Sequence, residues 1–194
     1  MVKNNLKIRK ALVNEKTKVR KFILNSFYKK NHILALHSKL FDWQYINKAF
    51  SCTIAILKLK IIGLQLYIPT SQFDSSLKKN KEFFTSLWFT KKTNIIALGT
   101  KIFFHTIKTN KPKLIIGMGI PSYLIDFHKK NNFIIKKMNH HFMFPSKKEK
   151  KNLNKLVIEK IDTFKNVKDK KFKNIFNYQF PIKSSNYLEN RFIK

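Results

Sequence analysis

The stretch Ser51-Cys52-Thr53-Ile54-Ala55-Ile56-Leu57-Lys58-Leu59-Lys60-Ile61-Ile62-Gly63-Leu64-Gln65-Leu66-Tyr67-Ile68-Pro69 decides the fold class. Thr53, Ala55, Leu57 and Leu59 alternate with Ile54, Ile56, Lys58 and Lys60, the two-residue period of a strand whose side chains point to opposite faces. Ile61 to Ile68 continues the pattern after a break expected at Gly63, and Pro69-Thr70-Ser71 closes it. Lys58 and Lys60 also interrupt the run well short of the roughly 18 uncharged apolar residues that a membrane-spanning helix needs, so no transmembrane segment is expected. Cys52 is the single cysteine, which excludes a disulfide framework and a cysteine-based metal site, and it reads as a small buried hydrophobe.

Upstream, Val19, Phe22, Ile23 and Phe27 fall on one helical face with Lys18, Arg20 and Lys21 on the other, so residues 1–50 read as a basic helical region. Downstream, Ser71 to Lys81 is a polar connection and Phe83 to Phe89 an apolar run. Asn94–Leu98, Lys101–Ile107 and Lys113–Ile116 then read as three short strands of an antiparallel meander, with further strands at Tyr123–Phe127, Phe133–Lys137 and His141–Phe144. Ser146 and Glu149 form a capping box that opens an amphipathic helix over 147–165. The order predicts an α+β fold, an antiparallel sheet packed on helix, arranged as two small related domains. The expected divisions are a basic helical region (1–50), a remnant of a first domain or connecting strands (51–85), a C-terminal RNA-binding domain (86–180) and a tail (181–194).

Forty-one Lys and Arg stand against 10 Asp and Glu, a net charge of +31. Charge of that size strains a compact state unless a polyanion neutralises it, and nucleic acid does so with release of counterions. Hydrophobic residues at 43% and 19 Phe exclude a merely disordered basic tail. Only Arg9, Arg20 and Arg191 are Arg; the excess of Lys, Asn, Ile and Phe is what an A+T-rich gene encodes, which predicts an organelle genome and the mitochondrial matrix. Gly117-Met118-Gly119 reads as a turn. His140 and His141 point to opposite faces of a strand, and the acids are scattered singly, so neither a metal site nor a carboxylate pair for catalysis is expected. The reading is of a non-enzymatic chain with no cofactor and no small-molecule substrate. The residues expected to contact RNA are Lys3, Lys7, Arg9, Lys10, Lys147, Lys148, Lys165, Lys168, Lys170, Lys171, Phe172, Lys173 and Asn174, chiefly as point charges for phosphate.

From about Phe89 onward the chain resembles the L-six family of large-subunit ribosomal proteins. Leu114-Ile115-Ile116-Gly117-Met118, Phe133-Ile134-Ile135, Phe142-Met143-Phe144-Pro145-Ser146-Lys147-Lys148, the helix from Lys148 to Phe164, and Phe172-Lys173-Asn174 follow the order of that family's signature. Gly119-Ile120 depart from its Ser-His. The resemblance implies two duplicated α+β domains on large-subunit ribosomal RNA among neighbouring ribosomal proteins, with no catalysis. The alternatives are a ribosomal protein of another family or subunit, and a basic peripheral subunit of an inner-membrane complex.

Overall fold

The computed structural model describes residues 6–27, 31–136 and 185–192. Chain order is β1 (Lys7–Lys10), a 3-10 turn (Val13–Glu15), α1 (Lys16–Ser26), α2 (Ile33–Leu36), α3 (Ser38–Tyr45), β2 (Cys52–Leu57), β3 (Lys60–Pro69), β4 (Glu82–Thr90), α4 (Leu98–Asn110), β5 (Leu114–Gly117), α5 (Ile125–Lys130) and α6 (Ser185–Phe192). The five strands make one sheet in sequential order; β1 to β4 pair antiparallel and β5 joins β4 in parallel. The last connection is parallel because α4 carries the chain back across the sheet, which a parallel neighbour requires.

The pleat of β2 sorts the core into two. Ile54, with Leu64 and Leu66 of β3, packs against Val19, Phe22 and Ile23 of α1 and Phe41 and Tyr45 of α3. Ala55, with Ile62, faces Leu98 and Ile102 of α4. Helices therefore cover both faces of the sheet, and each fully buried Leu or Ile is worth roughly 1.5–3 kcal/mol of burial. Gly63 sets the approach of α4: a Cβ there would lie 2.7 Å from Ile102 Cδ1 and 2.9 Å from Thr90 Cγ2. Under α4, Thr106 Oγ1 donates to Thr53 Oγ1 at 2.8 Å, satisfying two buried hydroxyls at once. Tyr187 of α6 enters the first core against Phe73, ring centroids 5.5 Å apart.

The α+β class holds, with a mixed rather than purely antiparallel sheet. Residues from 7 to 117 contribute to that one sheet, across the expected divisions at 50 and 85. Within the expected helical region, residues 7–10 are strand, and α1 buries Val19, Phe22 and Ile23 as its periodicity predicts. No break falls at Gly63; β3 runs through it, and the reversal comes at Lys58-Leu59, both with positive φ (47° and 65°). Of the expected meander, Lys113–Ile116 is matched by β5, while the run Lys101–Ile107 lies in α4. Ile102, Phe103 and Thr106 are buried together with Leu98 at helical spacing, so packing on the sheet overrides the β-preference of a run rich in Ile, Phe and Thr. The strand expected at Tyr123–Phe127 is a 3-10 turn running into α5, and Phe133 to Lys136 is irregular. The strand at 141–144 and the helix at 147–165 lie outside the described residues.

Candidate active site

The site begins with one residue too many in β4. Leu66 pairs with Leu87 but Tyr67 pairs with Thr85, so Ser86 is a bulge without a cross-strand partner. Bulges bend a strand and increase its twist. The bend is braced from the helical layer, because the Tyr45 hydroxyl of α3 shares a hydrogen bond with Ser86 Oγ. Burial pushes the Tyr45 phenol up to about 12, which keeps it a neutral hydroxyl at physiological pH.

The bulge parts the sheet. β5 follows β4 only from Glu82↔Leu114 to Thr85↔Gly117, where Thr85 Oγ1 donates to Ile116 O at 3.1 Å. β4 continues to Thr90 and β5 stops at Gly117, so on this side the β4 backbone from Ser86 onward has no strand beside it among the described residues. Between the diverging strands, α4 and α5 lies a cavity of about 700 Å³, within the ordinary range for a ligand pocket. Its wall is aromatic: Trp88 stacks on Phe103 at 5.3 Å, with Phe127 and Phe133 close by.

The titratable side chains lining the cavity among the described residues are Lys113, Tyr123 and His128. His128 is buried in the aromatic wall, and its Nδ1 lies 2.8 Å from Leu124 O, one helical turn back. A carbonyl can only accept, so Nδ1 carries the hydrogen and Nε2 is the acceptor of the neutral ring. Tyr123 is 80% exposed at the other side of the cavity. Gln65, 1% exposed on β3, also lines it, and its Oε1 has no hydrogen-bond partner. A buried amide oxygen left unmade is costly, and here it is available to a ligand N–H.

α4 starts beside this cleft. Ala97 caps it in the left-handed region (φ 55°) with no side-chain cap and no acid in the first turn. The early N–H groups have no intrahelical acceptor and carry the positive end of the helix dipole, which suits an anion. Gly99 lets this turn close on Trp88: a Cβ would meet the indole at 3.3 Å, and Trp88 Nε1 donates to Gly99 O at 3.2 Å. Exposed Lys92 and Lys101 lie close to the turn in sequence, whereas the Lys91 amine sits over the Phe22 ring of α1.

The residues expected to contact RNA do not gather here. Lys7, Arg9 and Lys10 sit on β1 at the far edge of the sheet. Arg9 gives its guanidinium to Glu15, both bonds at 2.7 Å. Lys3, Lys147, Lys148, Lys165, Lys168, Lys170, Lys171, Phe172, Lys173 and Asn174 lie outside the described residues. Sequence reasoning passed over Gln65, Ser86, Tyr123 and His128. A bulge leaves no mark in a periodic run, and His128 was isolated from any partner within the chain's motifs.

No protein-family model matches the chain, and no curated protein sequence does. Solved structures match it in shape. An aminoglycoside N-acetyltransferase, AAC(6')-Iy, in complex with CoA superposes over 74% of this chain and 97% of its own, with TM-score 0.52 and 12% identity. An aminoglycoside acetyltransferase from an uncultured soil metagenomic sample, in complex with sisomicin, gives 73% and 97%, TM-score 0.53 and 18% identity. Naa50 of Arabidopsis thaliana, in complex with the bisubstrate analogue CoA-Ac-MVNAL, gives 68% and 85%, TM-score 0.50 and 14% identity. A Pyrococcus horikoshii protein described as an acetyltransferase matches over 70% of this chain, which spans only 46% of that protein's length, at TM-score 0.50 and 17% identity.

These structures correct the sequence reading. They overturn the resemblance to the L-six ribosomal family and, with it, the ribosomal function and its two alternatives. The expectations of a non-enzymatic chain and of no small-molecule substrate fall as well, since the matching structures include acetyltransferases in complex with CoA or an aminoglycoside. The physical reason is the parallel β4–α4–β5 unit, which the reading took for an antiparallel ribosomal-type meander. Among the described residues no helix is long and apolar enough to cross a membrane. The chain shares its fold, a mixed five-stranded sheet packed with helices, with these acetyltransferase structures.

Proposed function

We propose that the chain transfers an acyl group from an acyl-CoA to an amine. The observation that carries this reading is the parting of β4 from β5 at the Ser86 bulge, beside the uncapped start of α4. The groups there fit such a molecule. The edge of β4 that no described strand covers offers backbone N–H and C=O groups to the amides of an extended arm, as it would to an added strand. Gln65 Oε1 is a further acceptor for an amide N–H. The first turn of α4, with exposed Lys92 and Lys101 near it in sequence, suits a diphosphate.

An acyl-CoA supplies an activated thioester carbonyl. The chain's own residues supply alignment and proton transfer. Of the titratable groups on the cavity wall among the described residues, His128 alone offers an unprotonated ring nitrogen, because its Nδ1 hydrogen is held by Leu124 O. Nε2 of His128 takes the proton from the attacking amine, and the Tyr123 hydroxyl is a hydrogen-bond donor at the same cavity. Titration of the full chain with CoA tests the reading. A ligand that binds only the folded state stabilises it by RT ln(1 + [L]/Kd), about 2.7 kcal/mol at a hundredfold excess over Kd. A melting midpoint unmoved by saturating CoA would sink the proposal. The mitochondrial matrix is proposed as its compartment on the Lys, Asn, Ile and Phe excess, to be checked by cell fractionation.

A further inference from the structure

Resting on the acyl-CoA reading above, we infer that the acceptor is the α-amine of a peptide whose next residues are acidic. The charge of the cleft carries this. Its titratable lining among the described residues is Lys113, Tyr123 and His128, with no carboxylate. An ammonium entering beside Lys113 loses hydration and gains no counter-charge, a cost that only a paired ion recovers. Elsewhere among the described residues, Asp126 is exposed on α5 outside the cavity lining, and four acids are held within the fold. Glu15 holds Arg9, Asp42 holds Lys16, and Asp74 caps the turn at Ser76, while Glu82 is buried at the start of β4.

The cleft therefore selects an amine that arrives neutral. At pH 7.5 about a third of α-amines are neutral, against about one lysine side chain in a thousand, from reference pKa values near 7.8 and 10.4. Beyond the reacting nitrogen, a chain of net charge +31 repels polyamines and gathers acidic peptides. In the transfer, the α-nitrogen bonds to the acyl carbon as the carbon–sulfur bond breaks. The electron pair leaves with sulfur, and the nitrogen's proton passes to His128 Nε2 and on to the sulfur. The products are a peptide amide and a free thiol.

The test follows thiol release from acetyl-CoA by the full chain. Its acceptors are peptides of one length and one first residue, followed by three Asp, three Ser or three Lys. Sisomicin and an amino-terminally blocked lysine peptide complete the set. The expected result is a kcat/KM at least about tenfold higher for the Asp than for the Lys peptide at low salt, narrowing at physiological salt as screening shortens the field. Sisomicin and the blocked peptide should stay near background. Equal or faster turnover of the Lys peptide, sisomicin or the blocked peptide overturns the inference, as does CoA binding without transfer to any peptide. CoA binding by the same preparation is measured in parallel. Its absence overturns the acyl-CoA reading itself, whereas binding with the wrong acceptor preference overturns this inference alone.

Discussion

Arg9 and Glu15 show how one pair ties two elements together. The carboxylate accepts twice from the guanidinium and, at 2.8 Å, from the Leu12 N–H, so it closes the turn between β1 and α1. The Arg9 hydrogen bonds, chiefly, hold the Glu15 carboxyl down at about 2 from its ordinary value of 4.5. The folded state then keeps its charge where the unfolded chain already takes up a proton. The contribution is complete above the ordinary value and is lost as pH falls toward about 2. Glu15→Gln should cost about 1–2 kcal/mol at neutral pH, with the gap to the parent closing in denaturant melts run at progressively lower pH. A gap that does not narrow would remove the pair from the account. His128 carries the other residue-scale expectation. His128→Gln should lower kcat by about 10²–10⁴-fold and leave CoA affinity, measured by calorimetric titration, near the parent's. Such residues were hard to read in the sequence. Glu15 and Arg9 are six positions apart across a strand end, and nothing local announces that they meet.

Among the elements, those with a short period were legible. β2, β3 and β4 follow from alternation and from the apolar run Phe83 to Phe89, and α1 from its i, i+3, i+4 spacing. α4 was not legible, because Ile102, Phe103, Thr106 and Ile107 favour a strand by type and become helix through what they pack against. That dependence gives a direct expectation at Gly63. A Val there must push Ile102 and Thr90 aside, and overpacking of this kind costs typically 1–3 kcal/mol. Since α4 also presents its first turn to the cleft, Gly63→Val should weaken CoA binding along with stability. Calorimetric titration and thermal melts on the same variant check both, and intact affinity in a destabilised protein would show that α4 keeps its seat. The bulge at Ser86 was equally hidden, because an extra residue in a strand shifts facing without altering composition.

For the whole molecule, charge was the easiest property to read and the easiest to misread. The +31 balance was taken as the mark of a ribosomal RNA partner. The sheet, helices and cleft show that a basic chain can carry its charge on a shape shared with acetyltransferases. The physics of self-repulsion still applies. The melting midpoint of the free chain should rise between low and moderate salt as screening relieves like-charge repulsion, and a midpoint independent of salt would contradict that. The outer rim of the sheet draws a last consequence from the same lysines. β1 is a terminal strand of sequence Lys-Ile-Arg-Lys, leaving one row of its backbone groups unclaimed by any described strand. Such a rim invites a second chain to dock and extend the sheet, and fixed positive charge is a common guard against it. Lys7 and Lys10 then act as wardens of solubility: replacing both with Thr should leave the melting midpoint near the parent's and raise light scattering on storage.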